Sequence, residues 1–297
     1  MTTFLPTLRQ LQYLVALHDH GHFGRAAESC FITQSTLSAS LRELEALLGS
    51  MLVERSRRVT RFTPLGIRIV AKARLVLRAA EELADMAQAE REPLTGELRM
   101  GVIPTIAPFL LPPLLPKLRA DHPSLKLFLR EEPSGAACDS LQRGLVDCVL
   151  LAMPFECGDI AAETLFEDRL LVASAPGEMT DPDVRPEQIN VSRMLLLEDG
   201  HCLKDHALAA CNRPELRASA MMLGTSLHTL VQMVDNRLGV TLVPEMAVEA
   251  GLLDGTQVEV RPLVSEQALR QIALIWRQGS PREAEFRLLA EELRRLR

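Results

Sequence analysis

The chain has 297 residues, 24% charged and 47% hydrophobic, which excludes a disordered or fibrous protein and exceeds one ordinary hydrophobic core, so two or three domains are expected. The net charge of −6 hides an asymmetry: residues 1–80 hold 11 Lys/Arg against five Asp/Glu, while residues 81–297 hold 22 against 34. A basic module joined to an acidic one points to nucleic-acid contact by the first, and no apolar stretch is long enough and free enough of charge and Pro to span a bilayer.

In chain order, Leu8, Leu11, Leu14, Val15 and Leu17 recur at helical spacing and predict an amphipathic helix over 8–20, ended by Gly21. A short second helix is expected from Phe23 to about Cys30, with Ala26 and Ala27 small enough for close packing and Cys30 on that small face. Thr33 is placed as the N-cap of a third helix whose apolar face, Leu37, Leu41, Leu44, Leu47 and Leu48, closes at Gly49. Helix, short helix, turn and longer helix is the order of a helix-turn-helix unit. Two short β segments, around 51–53 and 59–62, flank Arg55-Ser56-Arg57-Arg58 as a basic wing. Thr63-Pro64 is an N-cap followed by Pro at the first helical position, and that helix can run to about Glu92, roughly 40 Å. Its stripe of Leu65, Ile69, Ala73, Val76, Ala80, Leu83 and Ala87 needs a partner, so a dimerisation and linker helix is expected.

From Gly96 the texture alternates between strand and helix. Strands are expected at 98–102, 125–129 and 147–153, and near 170–173, 194–197, 240–243 and 272–275; helices are expected at 109–119 and around Leu141. This is an α/β pattern with predominantly parallel sheets, enough for two subdomains with a cleft. The organisation that follows is 1–63 for DNA binding, 64–92 for the linker helix and 96–297 for an effector domain. Its subdomain I covers about 96–167 plus 272–297, and subdomain II about 168–271.

The N-terminal Met1–Pro6 stretch lacks the basic and apolar regions of an export signal, so a cytosolic protein is expected. Six cysteines in a reducing compartment are more often free, catalytic or redox-sensing than a disulfide framework. There is no CxxC pair and no His/Cys cluster with zinc spacing, so no metal or other cofactor is expected. Cys148 lies in an apolar run and reads as a small buried hydrophobe, as does Cys30; Cys138 and Cys157 receive no role.

Cys202 differs. Gly200 permits an unusual turn before it, His201 and Lys204 can supply positive charge, and Asp205 can orient a partner. A helix starting near Cys202 would put its thiol at a helix N-terminus, where the dipole lowers a thiol pKa. Cys211, nine residues on, makes the two a candidate redox switch. Along one helix they are about 13 Å apart. A disulfide needs Cα atoms within about 7 Å, so joining them requires this helix to be remodelled.

In the N-terminal unit Gln34, Ser35, Thr36 and Ser38 begin the helix that would enter the major groove, while Arg25, Arg42, Arg55, Arg57, Arg58 and Arg61 suit phosphate or minor-groove contacts. Phe23-Gly24-Arg25-Ala26-Ala27, Gln34-Ser35-Thr36-Leu37-Ser38, Leu48-Gly49, Leu52-Val53-Glu54-Arg55 and Thr63-Pro64-Leu65-Gly66 resemble the N-terminal signature of LysR-type transcriptional regulators. The resemblance implies an α/β protein with an N-terminal winged helix-turn-helix, a long linker helix and a periplasmic-binding-protein-like effector domain of two α/β subdomains. It also implies a homodimer or homotetramer on a double-stranded DNA operator.

Farther on, Gly101-Val102-Ile103-Pro104-Thr105, Leu196–Leu203, Cys211, Val240–Pro244 and Gly279-Ser280-Pro281 resemble the peroxide-sensing members of that family. That resemblance implies that Cys202 is peroxidatic and Cys211 resolving, with Thr105 and His201 binding hydrogen peroxide. Lys204 stands where those members usually have Arg, and Ser134 aligns with a second site threonine, keeping charge and hydroxyl respectively. The expected function is a redox-responsive activator of oxidative-stress genes that recruits RNA polymerase, is reset by a cytosolic dithiol reductant, and is not an enzyme. The alternatives are a LysR-type regulator binding a small organic ligand in the effector cleft and, ranked last, a thiol peroxidase, which leaves the basic segment unexplained.

Overall fold

The computed structural model describes residues 5–55, 60–89, 93–213 and 222–295. The chain divides into two compact units, Met1–Gln88 and Ala89–Arg297.

In the first unit α1 (Leu8–His20) opens on a capping box between Thr7 and Gln10 and stops where Gly21 takes a left-handed φ of +61°. It packs with α2 (Phe23–Ser29) and α3 (Gln34–Leu48), burying Leu14, Leu17, Ala26, Ala27, Leu37, Leu41 and Leu44 in one core with Leu52, Val53 and Val70. Cys30 is the C-cap of α2 and only half-buried, so it is a terminus residue and not part of the expected packing face. The wing is an antiparallel pair, β1 (Val53–Arg55) and β2 (Thr60–Phe62), tied to α3 by the Glu45 carboxylate, which accepts the Leu52 and Val53 amides at 2.9 and 3.1 Å. Thr63 Oγ1 then accepts the Gly66 amide at 2.9 Å and starts α4 (Pro64–Ala89). The expected apolar stripe divides along α4. Ala73 faces inward with Val70, whereas Val76 and Leu83 are exposed at 48% and 71%, with Ile67 beside the stripe at 54%.

The second unit is built on β3 (Gly96–Val102), β4 (Leu125–Glu131), β5 (Cys148–Met153), β6 (Ile160–Ser174), a small pair of β7 (Leu195–Leu197) with β8 (Met222–Gly224), and β9 (Thr241–Pro244), β10 (Glu259–Pro262) and β11 (Leu269–Arg277). Its helices are α5 (Ala107–Asp121), α6 (Ser134–Gln142), α7 (Cys202–Ala210), α8 (Leu227–Asp235), α9 (Glu245–Glu249) and α10 (Glu283–Arg294). The main sheet runs β10-β6-β11-β5-β3-β4, with β9 also on β6.

The expectation of predominantly parallel pairing is corrected. β3 is parallel to β4 and β5, and β7 to β8, but β11 is antiparallel to β5 and β6, and β6 to β9 and β10. An apolar run reports burial on both faces and not direction, and β11 enters from the C-terminal end of the chain between β5 and β6. β6 is also far longer than its apolar stretch, because Glu163, Glu167, Asp168 and Arg169 interrupt the first part of the strand. The expected subdomain boundaries at 167/168 and 271/272 fall inside β6 and β11, whose mutual pairing shifts register between Ile272 and Ala273. No helix among the described residues is long and apolar enough to cross a membrane.

Candidate functional site

α7 starts where the sequence turns from polar Glu198-Asp199-Gly200 to apolar. Gly200 adopts φ +93°, His201 is the N-cap, and Cys202 is the first helical residue. The Cys202 amide donates to Ser134 Oγ at 3.2 Å, and the Gly135 amide donates to the Gly200 carbonyl at 3.2 Å, so the N-termini of α6 and α7 meet. Both Ser134 and Cys202 are buried.

Burial changes the electrostatics expected here. It pushes the Cys202 thiol pKa up, against the opposing influences of the Ser134 hydroxyl, Arg270 and the Ala152 backbone, so the thiol is protonated at neutral pH and the expected dipole-lowered thiolate is corrected. His201 is also buried, which lowers its pKa against the opposing charge of Glu198, so its imidazole is neutral and supplies no positive charge. The Lys204 ammonium sits 2.5 Å from Asp199 Oδ1 and is engaged there. The cation whose field favours the Cys202 thiolate is Arg270.

Sequence reasoning missed Arg270. It lies on β11 opposite Asp168 of β6, and the two form an ion pair at 2.8–2.9 Å with both side chains fully buried. Arg270 also donates to Thr105 Oγ1 and to the Thr105 carbonyl at 3.2 and 3.3 Å, while Asp168 Oδ1 accepts the Met246 amide at 2.9 Å. Thr105, just beyond β3, is thereby fixed by a residue 165 positions away. A signal was available: Arg270 is in alternating phase with Ile272 and Leu274, so a strand reading extended by two residues aims its guanidinium into the core.

Cys211 is the C-cap of α7, its amide bonded to the Ala207 carbonyl at 3.1 Å, so unbroken helix separates two free thiols. Burial pushes the Cys211 pKa up to about 11. Of the α7 residues only Asp205 and Ala209 are not buried. His206 Nε2 donates to the Pro154 carbonyl at 2.9 Å, and burial lowers its pKa as well. Beside this helix lies a cavity of about 710 Å³ lined by Met153–Glu156, Asp205, His206, Leu208 and Ala209. Cys138 of α6 and Cys157 are joined in a disulfide with Cα atoms 5.2 Å apart, correcting the reading that gave these two cysteines no role. Nineteen residues separate them in sequence, and only the tertiary fold brings them together. Cys148 is buried in β5, and burial pushes its pKa up to about 12.

In the first unit Gln34, Ser35 and Thr36 are exposed on the opening turn of α3, Ser38 is half-buried, and Arg25, Arg42 and Arg61 are exposed. The Thr33 hydroxyl is occupied as a cap, accepting the Thr36 amide at 3.2 Å. The Arg55 side chain and all of Arg57 and Arg58 lie outside the described residues. Among the described residues, no group of three or more His, Cys, Asp or Glu is arranged to hold a metal ion.

A helix-turn-helix unit followed by an α/β unit with a buried polar and thiol site defines a DNA-binding regulator with its own sensory module. Residues 8–67 match the model of the bacterial regulatory helix-turn-helix proteins of the lysR family, and residues 91–297 match the LysR substrate binding domain. The chain belongs to the LysR family, and its second unit has the periplasmic-binding-protein-like architecture of that family's effector domain. It is 41% identical over 297 residues to the HTH-type transcriptional regulator EstR of Acinetobacter baylyi, covering 98% of this chain and 97% of that one. It is 38% identical over 278 residues to the hydrogen peroxide-inducible genes activator of Haemophilus influenzae, covering 92% and 91%. Among solved structures it resembles a full-length cysteine-to-aspartate variant of OxyR from Pseudomonas aeruginosa, with a TM-score of 0.80, 34% identity and coverage of 98% and 95%.

Proposed function

We propose that this regulator senses hydrogen peroxide through Cys202, with Cys211 as the resolving thiol and the operator-binding unit as the output. The observation that carries the reading is the placement of two free thiols at opposite ends of one buried helix, the first beside Ser134 and within the field of Arg270. In the first step the Cys202 sulfur attacks one peroxide oxygen, the O–O bond breaks, and the thiol proton leaves with the departing oxygen as water. In the second, the Cys211 sulfur displaces the hydroxyl of the sulfenic acid, forming the disulfide and a second water. Two electrons pass from the thiol pair to one peroxide.

Because α7 holds the ends about 13 Å apart, the second step requires the helix to unwind. The refolding exposes or repacks Leu203, Ala207 and Leu208, which is the means by which a two-electron event becomes a change in the effector surface. Thr105, Ser134 and neutral His201 form the peroxide pocket, and Asp205 flanks it. Lys204 acts indirectly, by holding Asp199 in the turn before the helix. A cytosolic dithiol reductant restores the thiols, so each peroxide is consumed once per switch and not by turnover.

At the other end, Gln34, Ser35, Thr36 and Ser38 read bases in the major groove of the operator, and Arg25, Arg42, Arg55, Arg57 and Arg58 hold phosphates, with Thr33 fixing the start of the helix. The exposed Ile67, Val76 and Leu83 of α4 support a homodimer, which assembles further into a tetramer that contacts RNA polymerase. The deciding experiment adds one equivalent of peroxide to reduced protein and maps disulfides by mass spectrometry. A 202–211 linkage is expected, with a DNA footprint that shifts in the wild type and not in Cys202→Ser; no linkage and an identical footprint overturn the proposal.

The cavity of about 710 Å³ beside α7 favours a second reading, a small organic ligand as effector. Calorimetry on fully reduced protein separates the two, since saturable metabolite binding is expected only under the second.

A further inference from the structure

We infer that Cys138 and Cys157 are a second redox pair, whose state sets how firmly α7 is held; the consequence for signalling rests on the proposed function, but the mechanical coupling does not. The argument begins with what anchors α7. Its first residue is bonded through the Cys202 amide to Ser134 of α6, and one turn later His206 is bonded to the Pro154 carbonyl of the loop after β5. Cys138 lies four residues after Ser134, on the same face of α6. Cys157 lies three residues after Pro154 in that loop. The disulfide therefore joins the two elements that carry the two anchors. With the bridge closed, the anchors are fixed relative to each other and the helical spacing between Cys202 and His206 is enforced.

With the bridge open, the Gln142 side chain still ties α6 to the loop, through its 2.7 Å bond to the Cys157 carbonyl. The two anchors are then less firmly held relative to each other and α7 unwinds more readily, without the surrounding sheet unfolding. A disulfide in a protein that works on DNA faces a reducing compartment, where such bonds are more often reversible than structural. Cys157 itself is buried, but Glu156, Gly158 and Asp159 on either side are exposed, so a small local opening admits a dithiol. Closure needs one peroxide per pair: a sulfenic acid forms on one sulfur with release of water, and the other sulfur displaces hydroxide to give the bridge and a second water. Opening takes two electrons and two protons from a dithiol. A closed bridge thus acts as a brake on resolution, and prior reduction of 138–157 primes the protein to switch.

The test uses the full chain. Wild type is poised in a series of dithiol buffers, the state of each cysteine is read by differential alkylation and mass spectrometry, and amide exchange across 202–210 is measured on the same samples. Opening of 138–157 with Cys202 and Cys211 still reduced is expected to speed exchange in α7 roughly tenfold while exchange in β5 and β11 is unchanged. The Cys138→Ala/Cys157→Ala variant is expected to reproduce this, and to form the 202–211 linkage about fivefold faster after peroxide, with the rate of Cys202 sulfenic acid formation in a Cys211→Ser background unaltered. Equal α7 exchange with the bridge open and closed overturns the inference, as does a protein that shows no 138–157 linkage before reductant is added. If α7 exchange responds but no 202–211 linkage ever forms, the anchoring stands and the peroxide reading fails.

Discussion

Replacing Arg270 with Met tests the buried network most directly. The substitution keeps an unbranched apolar stem but removes the guanidinium, leaving Asp168 charged, fully buried and without its cation. Breaking a buried ion pair from one side costs about 3–5 kcal/mol, because the survivor's desolvation is no longer offset. The second unit spans about two hundred residues, for which each kcal/mol moves Tm by roughly 2–4 °C, so a fall of about 6–20 °C is expected by calorimetry. The Asp168→Asn/Arg270→Met pair should recover most of this, since Asn removes the charge and its Oδ1 can still accept the Met246 amide. Recovery of stability is not expected to restore reactivity. Arg270 offsets the burial that raises the Cys202 pKa, and each further unit of rise cuts the thiolate fraction about tenfold at neutral pH. Both variants should therefore alkylate more slowly at Cys202, with Thr105 also released from its two donors. A single variant that melts within about 2 °C of wild type, or a double variant no more stable than the single, refutes the ledger of buried charge on which this rests.

Four further outcomes follow from the structure. Gly66→Ala places a Cβ against the Leu52 carbonyl oxygen, so the first unit should lose about 1–3 kcal/mol in urea melts while the second is unaffected. The raised pKa of Cys211, about 11 against an unfolded value of 9.0, means the fold favours the protonated thiol; its contribution is full below pH 9 and is lost as pH rises through about 11, so Cys211→Ala should flatten the alkaline decline in stability of reduced protein. The lowered pKa of His206 runs the other way: its contribution is present above the unfolded value of 6.5 and lost as pH falls through the folded one, and His206→Gln should weaken that acid decline. On DNA, Arg42→Ala should lower affinity uniformly and reduce the salt slope by about one, whereas Gln34→Ala should cost about 1–3 kcal/mol on the operator alone, measured by anisotropy on specific and random duplexes.

Much of the molecule is written locally. Thr33 and Thr63 mark helix starts and Gly21 and Gly49 mark stops because capping is settled by a few adjacent residues, so the end of α1, the extent of α3 and the start of α4 are legible along the chain. The placement of Cys202 and Cys211 at opposite ends of a helix is legible for the same reason, as is the conclusion that they cannot join without remodelling it. What the chain does not reveal is what burial does to those groups. The features that lower a thiol pKa along the sequence, a helix N-terminus and neighbouring His201 and Lys204, are outweighed once the tertiary structure removes water from Cys202, neutralises His201 and turns Lys204 to Asp199. Strand direction, the Arg270–Asp168 pair and the Cys138–Cys157 bridge likewise arise only from packing, because each depends on contacts between residues tens to more than a hundred positions apart, or nineteen in the case of the bridge. Local sequence determined the N-terminal helices and the pair of thiols; desolvation and long-range contact decided which charge acts on Cys202 and what holds its helix in place.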